Sequence, residues 1–312
     1  MNLFLMIALV AIHPNPGHHF SEFGKIFEKE GIPYAAFAAD NALAKMSSLK
    51  AVVPIDTRQV EETADKIAKV ADEVLLDVGP LFSLDLAKAL KVRNVKVIAY
   101  VDNYEGCNKL ATEIVSVADT ALYVKELGYY PLEDIERIER LRQDGDFKQN
   151  FITKHQLNSD LPILLFIGSA DKDYENIFKT FLIENNEGLA HYNFLLHRHP
   201  RAEEEGITDK SDLLCSNWKT PFAVSTGTLE QAMAVANVMG YNKTTTAIKG
   251  PLLGIPTFQW GSSLKTKDDL EAFLASPSHL SSEEALELVG YRPDWQERLV
   301  RFVKSHPITY KL

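Results

Sequence analysis

Short apolar runs alternate with helix-period segments along the chain, and this alternation restricts the fold more than any other feature of the sequence. The first run is continuously apolar from Leu3 to Ile12, as expected for a parallel strand that is covered on both faces. A helical pattern follows, and further apolar runs continue the series at Tyr34–Phe37, Ala51–Ile55, Val74–Val78, Val95–Val101 and Ala121–Val124. Strands separated by crossover helices predict an α/β fold with a parallel sheet between two helical layers.

A second series of the same kind starts at the apolar run Ile163–Ile167, after a segment rich in Glu, Arg, Asp and Lys. We therefore predict two Rossmann-like domains that face a cleft, because ligands of parallel sheets bind at the carboxyl ends of the strands. The predicted boundaries are 1–128 for the N-terminal domain, 129–160 for a charged helix and linker, 161–290 for the C-terminal domain, and 291–312 for a C-terminal helix that is able to pack back on the N-terminal domain.

The composition excludes several classes of function. With 33 Lys and Arg against 43 Asp and Glu, the net charge of −10 repels a phosphate backbone and argues against a nucleic-acid partner. Two cysteines, Cys107 and Cys215, cannot alone form a disulfide framework or a structural zinc site, so we expect a reducing, cytoplasmic setting. The first apolar run has about half the length that a bilayer crossing requires, so no transmembrane segment is expected. The oligomeric state stays open.

A hydroxyl-rich turn with Thr244, Thr245 and Thr246 precedes a predicted helix in the second half of the chain. Backbone N–H groups, the positive end of a helix dipole and hydroxyl groups are the components of a phosphate site, and Lys243 adds a positive charge. Helix capping, for which Thr is favoured, explains the same residues equally well.

A second group of polar residues, with the sequence HRHPR, follows the apolar run Phe194–Leu196. Imidazole and guanidinium groups at a strand's carboxyl end suit anion binding or proton donation. The alternative is a solvated basic loop.

In this order the features resemble the donor domain of GT-B glycosyltransferases. An HP dipeptide, then a strand and a Ser/Thr pair opening a helix that ends in LLGIPT, is similar to bacterial sialyltransferase-like enzymes of capsule and lipo-oligosaccharide synthesis and to CDP-glycerol glycerophosphotransferases. The resemblance implies that His199 contacts the departing phosphate and is able to act as its acid. It also implies that Thr244 and Thr245 bind this phosphate, and that Gly168 and Ser169 form the glycine-bearing loop of the nucleotide-donor domain.

The turn after the first strand, with the sequence IHPNPGHH at 12–19, resembles the P-x-x-G-H turn of UDP-glycosyltransferases. In that family the histidine after the glycine is the acceptor base. The resemblance therefore implies that His18 is catalytic and that Gly17 and His19 lie on the acceptor side. The alternative is that one of the two histidines caps the helix while the other packs in the core.

Two aspartates end predicted strands of the N-terminal domain. Asp102 partly resembles the acidic element that supplies the base in the sialyltransferase-like families, so we expect it to be the base or to orient His18. Asp77, before Gly79, has the same strand-end position. A helix N-cap is the alternative for both.

Together these resemblances imply a glycosyltransferase that moves a sugar or related group from a nucleotide-activated donor to an acceptor hydroxyl, in bacterial surface glycan synthesis. The partners expected are the nucleotide-sugar donor and a glycan or small-molecule acceptor. No HExxH spacing occurs, and we expect neither metal nor further cofactor. Two alternatives remain open. One is a nucleotide-sugar epimerase of the same fold, which needs several cleft carboxylates where the sequence shows few, and the other is a non-catalytic GT-B-like protein that binds a nucleotide or glycan.

Overall fold

The structure of the protein is a computed structural model that describes residues 6–102, 109–169, 173–185, 187–199, 222–242 and 244–305. It divides into two compact units. Unit 1 comprises Met1–Tyr130 and Val289–Leu312, and unit 2 comprises Pro131–Leu288. Each unit contains one parallel sheet, so the prediction of two parallel-sheet α/β domains is confirmed. Within the described ranges, no helix is long and apolar enough to cross a bilayer.

Unit 1 is built on a six-stranded sheet with the order β3-β2-β1-β4-β5-β6. Its strands are β1 (Ile7–Ala11), β2 (Tyr34–Ala38), β3 (Val52–Pro54), β4 (Glu73–Asp77), β5 (Lys96–Val101) and β6 (Thr120–Tyr123). Its helices are α1 (Pro14–Lys29), α2 (Asp40–Met46), α3 (Val60–Ala68), α4 (Leu81–Val92), α5 (Lys109–Val117), α6 (Val124–Leu127) and the last helix of the chain, α14 (Trp295–Lys304). The strand order reverses between β1 and β4, and this is the point at which open parallel sheets bind ligands.

The continuous apolar run of β1 is explained by burial on both faces of the sheet. Leu9 packs with Phe23 of α1 in one core cluster, whereas Val10 packs with Leu86 of α4 in another. Trp295 of α14 joins the first cluster, so the C-terminal helix is part of the unit 1 core.

Unit 2 is built on a five-stranded sheet with the order β11-β10-β7-β8-β9, which reverses between β7 and β10. Its strands are β7 (Ile163–Ile167), β8 (Asn193–His197), β9 (Phe222–Val224), β10 (Val238–Tyr241) and β11 (Thr257–Gln259). Its helices are α7 (Leu132–Gln143), α8 (Gly145–Lys154), α9 (Tyr174–Asn185), α10 (Leu229–Val235), the 3₁₀ helix η1 (Thr245–Ile248), α11 (Lys249–Leu252), α12 (Lys267–Ala275) and α13 (Ser282–Leu288).

Within the charged segment 129–160, for which we expected an exposed helix and linker, the helices α7 and α8 belong to unit 2, while residues 129 and 130 belong to unit 1. Ile138 and Phe151 from these helices are buried in the same core cluster as Leu165 of β7. The thin apolar stripe of this segment is therefore sufficient to attach it to the sheet, while the charged residues of α7 and α8 other than Asp134 are exposed.

Candidate functional site

Asp77 organises the carboxyl edge of the unit 1 sheet at the switch point between β1 and β4. Its side chain is 1% exposed, and its Oδ2 accepts hydrogen bonds from the backbone N–H groups of Ile12 (3.1 Å) and His13 (2.8 Å). Its Oδ1 accepts a third bond, from the N–H of Gly79 at 3.1 Å. The carboxylate therefore fixes the turn that leads from β1 into α1.

The imidazole of His13 lies against the same carboxylate, with its Nδ1 3.2 Å from Oδ2 of Asp77. On another side the ring lies against Gly79, where an added Cβ would overlap Cε1 of His13. The ring is thus held between Asp77 and Gly79, and 37% of the side chain remains exposed.

Asp102 follows β5 at the same edge and is partly buried. Burial and, to a smaller extent, the nearby Asp77 carboxylate together raise the pKa of this carboxyl from 3.8 to about 6, although His13 acts in the opposite direction. A carboxyl group with this pKa can either give or take a proton near neutral pH, as acid–base catalysis requires. The rest of the predicted acidic element, at 103–108, lies outside the described residues.

The predicted residues of the N-terminal turn occupy three different environments within α1. His19 is 5% exposed and its Nδ1 lies 2.7 Å from the Tyr100 hydroxyl, so it packs in the core and does not lie on an acceptor side as expected. Gly17 lies inside the helix rather than in an open turn, and its Cα faces Ala42 of α2, whose carbonyl oxygen would lie 3.0 Å from an added Cβ. His18 is partly exposed, and its buried Nε2 has no hydrogen-bond partner within the described part of the chain.

In unit 2, the loops after β7 and β8 meet at the carboxyl edge of the sheet. The N–H of Gly168 donates to the His197 carbonyl at 2.8 Å, and an added Cβ at Gly168 would lie 3.1 Å from both that oxygen and the His199 nitrogen. The backbone of Gly168 thus lies next to that of His199, and the following residue, Ser169, is buried; their role in nucleotide binding stays a prediction.

Thr244 caps the short helix that follows β10, because its hydroxyl accepts a hydrogen bond from the N–H of Thr246 at 3.3 Å. The capping alternative therefore describes this residue, and a phosphate-binding role would be additional. The helix consists of η1 and α11 and ends at Leu252, which agrees with the breaking effect of Gly250-Pro251. Lys243 and the side chain of Thr245 lie outside the described residues.

Three buried polar atoms line the carboxyl ends of the unit 2 strands, and none has a hydrogen-bond partner among the residues described. They are Nδ1 of His197 at the end of β8, Oγ of Ser225 after β9 and Oδ1 of Asn242 after β10. Burial lowers the pKa of His197 and favours its neutral form, an effect that His199 increases and Glu230 opposes. Folded proteins rarely leave buried polar atoms unpaired, so these atoms indicate a place where a bound molecule supplies the missing partners. Sequence reasoning did not single out Ser225 or Asn242, although each is the first polar residue after its strand.

Glu230, which the sequence did not indicate, belongs to an ion-pair network with Lys249 and Asp134. This network lies near His197, at the carboxyl edge of the unit 2 sheet. Although burial acts against its charge, backbone N–H groups, Lys249 and Thr228 hold the pKa of Glu230 below its ordinary value. Lys249 in turn lies 2.7 Å from Asp134 of α7. The network therefore keeps a negative charge near His197. Among the described residues, no cluster of three or more His, Cys, Asp or Glu suits a metal ion.

No protein-family model and no curated protein matches this chain. Its fold is nevertheless shared with solved structures of nucleotide-sugar enzymes. The UDP-GlcNAc 2-epimerase of Neisseria meningitidis, solved with UDP-GlcNAc bound, superposes with a TM-score of 0.65 at 10% identity, covering 97% of this chain and 100% of that one. A UDP-N-acetylglucosamine 2-epimerase of Rickettsia bellii gives a TM-score of 0.63 at 14% identity, with 97% of each chain covered.

A glycosyltransferase of Rickettsia africae gives a TM-score of 0.64 at 12% identity, covering 97% of this chain and 98% of that one. Similarity at these identities establishes the GT-B-like fold and nothing finer. The narrower resemblance to sialyltransferase-like enzymes and CDP-glycerol glycerophosphotransferases is not confirmed.

Proposed function

We propose that the protein is a nucleotide-sugar epimerase that inverts a stereocentre in the sugar of a UDP-sugar, with UDP-GlcNAc as the first substrate to test. The observation that carries this proposal is the pair of carboxylates, Asp77 and Asp102, at the carboxyl edge of the unit 1 sheet. The sequence shows few carboxylates at strand ends, so by itself it favours a glycosyltransferase over an epimerase. The fold shared with UDP-GlcNAc 2-epimerases adds support at the level of architecture.

Unit 2 supplies the proposed nucleotide site. The unpaired polar atoms of His197, Ser225 and Asn242 are available to a ligand, and the Gly168 loop brings backbone groups to the same edge. We assign His199 and the turn at 244–246 to the diphosphate, because N–H, hydroxyl and imidazole donors stabilise the negative charge that develops on a departing phosphate.

The chemistry of inversion explains why a carboxyl with a raised pKa is useful. A proton must leave one face of the sugar carbon, and another must reach the opposite face. When a base takes the proton from C2, the electron pair forms a C1–C2 double bond and the C1–O bond breaks, with its pair leaving on the diphosphate. The reverse addition, with protonation from the other face, completes the inversion, and Asp102 is assigned to one of the two proton transfers.

The test is incubation with UDP-GlcNAc in D₂O, followed by NMR and mass spectrometry. We expect UDP-ManNAc that carries one deuterium at C2, and we expect Asp102→Asn to reduce its formation at least 100-fold. Asp72→Asn is the matched control, since Asp72 is exposed in the same unit. A new glycosidic bond with release of UDP, and no epimer, would overturn the proposal in favour of a glycosyltransferase.

A glycosyltransferase remains the second candidate function. The structure from Rickettsia africae shares the fold to the same degree as the epimerases, and the adjoining Gly168 loop and His199 segment agree with the donor-domain resemblance. Binding of UDP without either product would instead support the non-catalytic alternative.

A further inference from the structure

His155 connects the end of α8 to the loop that follows β9, and both belong to unit 2. It is the C-cap residue of α8, it is 8% exposed, and its ring stacks on Phe151 at a centroid distance of 4.1 Å. Its Nδ1 lies 3.0 Å from the carbonyl oxygen of Phe151, while its Nε2 lies 3.3 Å from the backbone nitrogen of Thr226. Each ring nitrogen therefore has a backbone partner, and the two partners lie on different elements.

The chemistry of these partners fixes the tautomer of the His155 ring. A carbonyl oxygen only accepts hydrogen bonds, so Nδ1 carries a proton and donates it to Phe151. A backbone N–H only donates, so Nε2 has no proton and accepts from Thr226. The Thr226 hydroxyl, 3.4 Å from Nε2, can reverse its role, but the backbone N–H cannot. Protonation of the ring would therefore break the bond to the Thr226 N–H.

This bond is one of the contacts that fix the loop after β9. At the start of the loop, the N–H of Ser225 donates to the Leu196 carbonyl oxygen at 2.8 Å, and at its end Thr228 caps α10. Between these two points, the loop is held by the bond from Thr226 to His155. The same loop carries the Oγ of Ser225, which has no hydrogen-bond partner among the described residues and belongs to the proposed nucleotide site. The protonation state of His155 thus bears on the position of a ligand-binding hydroxyl.

The groups around the ring do not compensate for a positive charge on it. His155 borders a cavity of about 190 Å³, in which Lys154 is the other ionisable group among the described lining residues. Helix α10 packs against α8 and carries Glu230, but the Oε1 of this carboxylate lies 3.8 Å from the ammonium group of Lys249. Among the described residues, no carboxylate lies within ion-pair distance of the His155 ring. The arrangement therefore suits the neutral ring.

We propose that neutral His155 is a positioning residue of the nucleotide site, which holds the loop after β9 so that the Ser225 hydroxyl can bind UDP. The inference rests on the proposed function, because it takes Ser225 as a ligand contact. Histidine titrates near neutral pH, so protonation of His155 in mildly acidic solution releases the Thr226 N–H. The loop then takes up its binding arrangement for only a fraction of the time, and the Kd for UDP rises in inverse proportion to that fraction.

The first test is calorimetric titration of the full chain with UDP at pH 7.5 and at pH 5.5. His155→Gln keeps an oxygen that can accept from the Thr226 N–H but cannot be protonated, whereas His155→Leu has no acceptor. Because UDP and other histidines also titrate, the informative quantity is the difference between wild type and His155→Gln. The matched control is His279→Gln, at an exposed histidine of unit 2.

We expect wild type and His155→Gln to agree within twofold at pH 7.5. On going to pH 5.5, the Kd of wild type should rise at least threefold more than that of His155→Gln, because only wild type loses the bond to Thr226. His155→Leu should bind UDP at least threefold more weakly than wild type already at pH 7.5. His279→Gln should follow wild type at both pH values.

The second test needs no ligand and so covers a variant that does not fold. In ¹⁵N-labelled wild type at pH 7.5, NMR should show a protonated Nδ1 and an unprotonated Nε2 in the His155 ring. The amide signal of Thr226 should shift with the same pH midpoint as this ring, and the shift should be absent in His155→Gln. The opposite tautomer, or a Thr226 amide that does not respond to the ring, would contradict the inference.

The outcomes separate this inference from the proposed function. Equal changes of Kd with pH in wild type and His155→Gln would overturn the positioning role of His155 and leave the proposed function intact, because UDP still binds. The expected pattern of Kd values without epimerisation of UDP-GlcNAc would overturn the proposed reaction and support the role of His155. The absence of UDP binding by wild type at both pH values would overturn the nucleotide site and this inference with it.

Discussion

Replacing Asp102 by Asn should stabilise unit 1 in a pH-dependent manner. The folded-state pKa of Asp102 is about 6, against an ordinary value of 3.8, because burial and the Asp77 carboxylate both disfavour its charge. A carboxyl whose pKa is raised on folding contributes stability at low pH, and this contribution is lost as the pH rises through the folded-state pKa. At 1.4 kcal/mol per pKa unit, ionised Asp102 reduces the free energy of unfolding by about 3 kcal/mol above pH 7. Because Asn is neutral at every pH, Asp102→Asn should exceed wild type by about this amount at pH 8 and equal it below pH ~3.5.

The assay is urea denaturation monitored by a fluorophore confined to unit 1. The chain has three tryptophans, and Trp295 is the one in unit 1, so replacing Trp218 and Trp260 by Phe makes the fluorescence report unit 1 alone. In this background, the difference in the free energy of unfolding between Asp102→Asn and its parent should grow between pH 4 and pH 7. The exposed Asp72→Asn serves as the control and should show no such growth. A pH-independent difference, or destabilisation at pH 8, would refute the reasoning that Asp102 carries an unfavourable buried charge.

Three further substitutions test the local assignments. His19→Phe removes the hydrogen bond to Tyr100 and should lower the free energy of unfolding of unit 1 by about 1–2 kcal/mol in urea denaturation. The Kd for UDP should stay unchanged. Weaker UDP binding at equal stability would contradict a role of His19 in the core. Lys249→Met removes one of the two cationic partners of the nearly buried Asp134 carboxylate, while Arg137 remains paired with it. Unit 2 should lose about 2 kcal/mol of stability, and a loss below 0.5 kcal/mol would show that the pair is solvated. Gly168→Ala introduces a methyl group 3.1 Å from two backbone atoms after β8. It should weaken UDP binding in calorimetry about 10-fold, whereas Gly145→Ala should not.

The fold could be predicted from the sequence because strands that are buried on both faces of a sheet appear as continuous apolar runs. Strands such as β1 and β7 are covered on two sides, so every position is apolar and the run stands out from its neighbours. The sequence pattern of helices α7 and α8 is less distinctive, because a single apolar stripe that includes Ile138 is enough to pack them against the unit 2 core. A charged amphipathic helix on a domain surface and a charged helix in a linker have the same composition, and only the packing partner distinguishes them.

The candidate site follows from the sequence much less well, because it depends on where helices begin. The resemblance at the first turn indicated His18, but α1 begins at Pro14. Because α1 begins at Pro14, His13 lies between β1 and α1, whereas His18 and His19 lie within α1 and face different sides of it. The pairing of His13 with Asp77 spans 64 residues of sequence and arises only when β1 and β4 become neighbours in the sheet. Similarly, Ser225 and Asn242 become notable only once they are buried with unpaired atoms.

The arrangement of charges at the unit 1 edge bears on the choice between the two enzyme classes. A transferase that activates an acceptor hydroxyl needs one base, for which a single ionised carboxylate is sufficient. Here Asp77 is fixed by backbone N–H groups, and its charge helps to raise the pKa of Asp102. Asp102 therefore stays available as an acid near neutrality, while Asp77 stays fixed by its backbone hydrogen bonds. A carboxyl that can give or take a proton, beside a second carboxylate at one sheet edge, matches a reaction in which a proton leaves one face of a carbon and another returns to the opposite face.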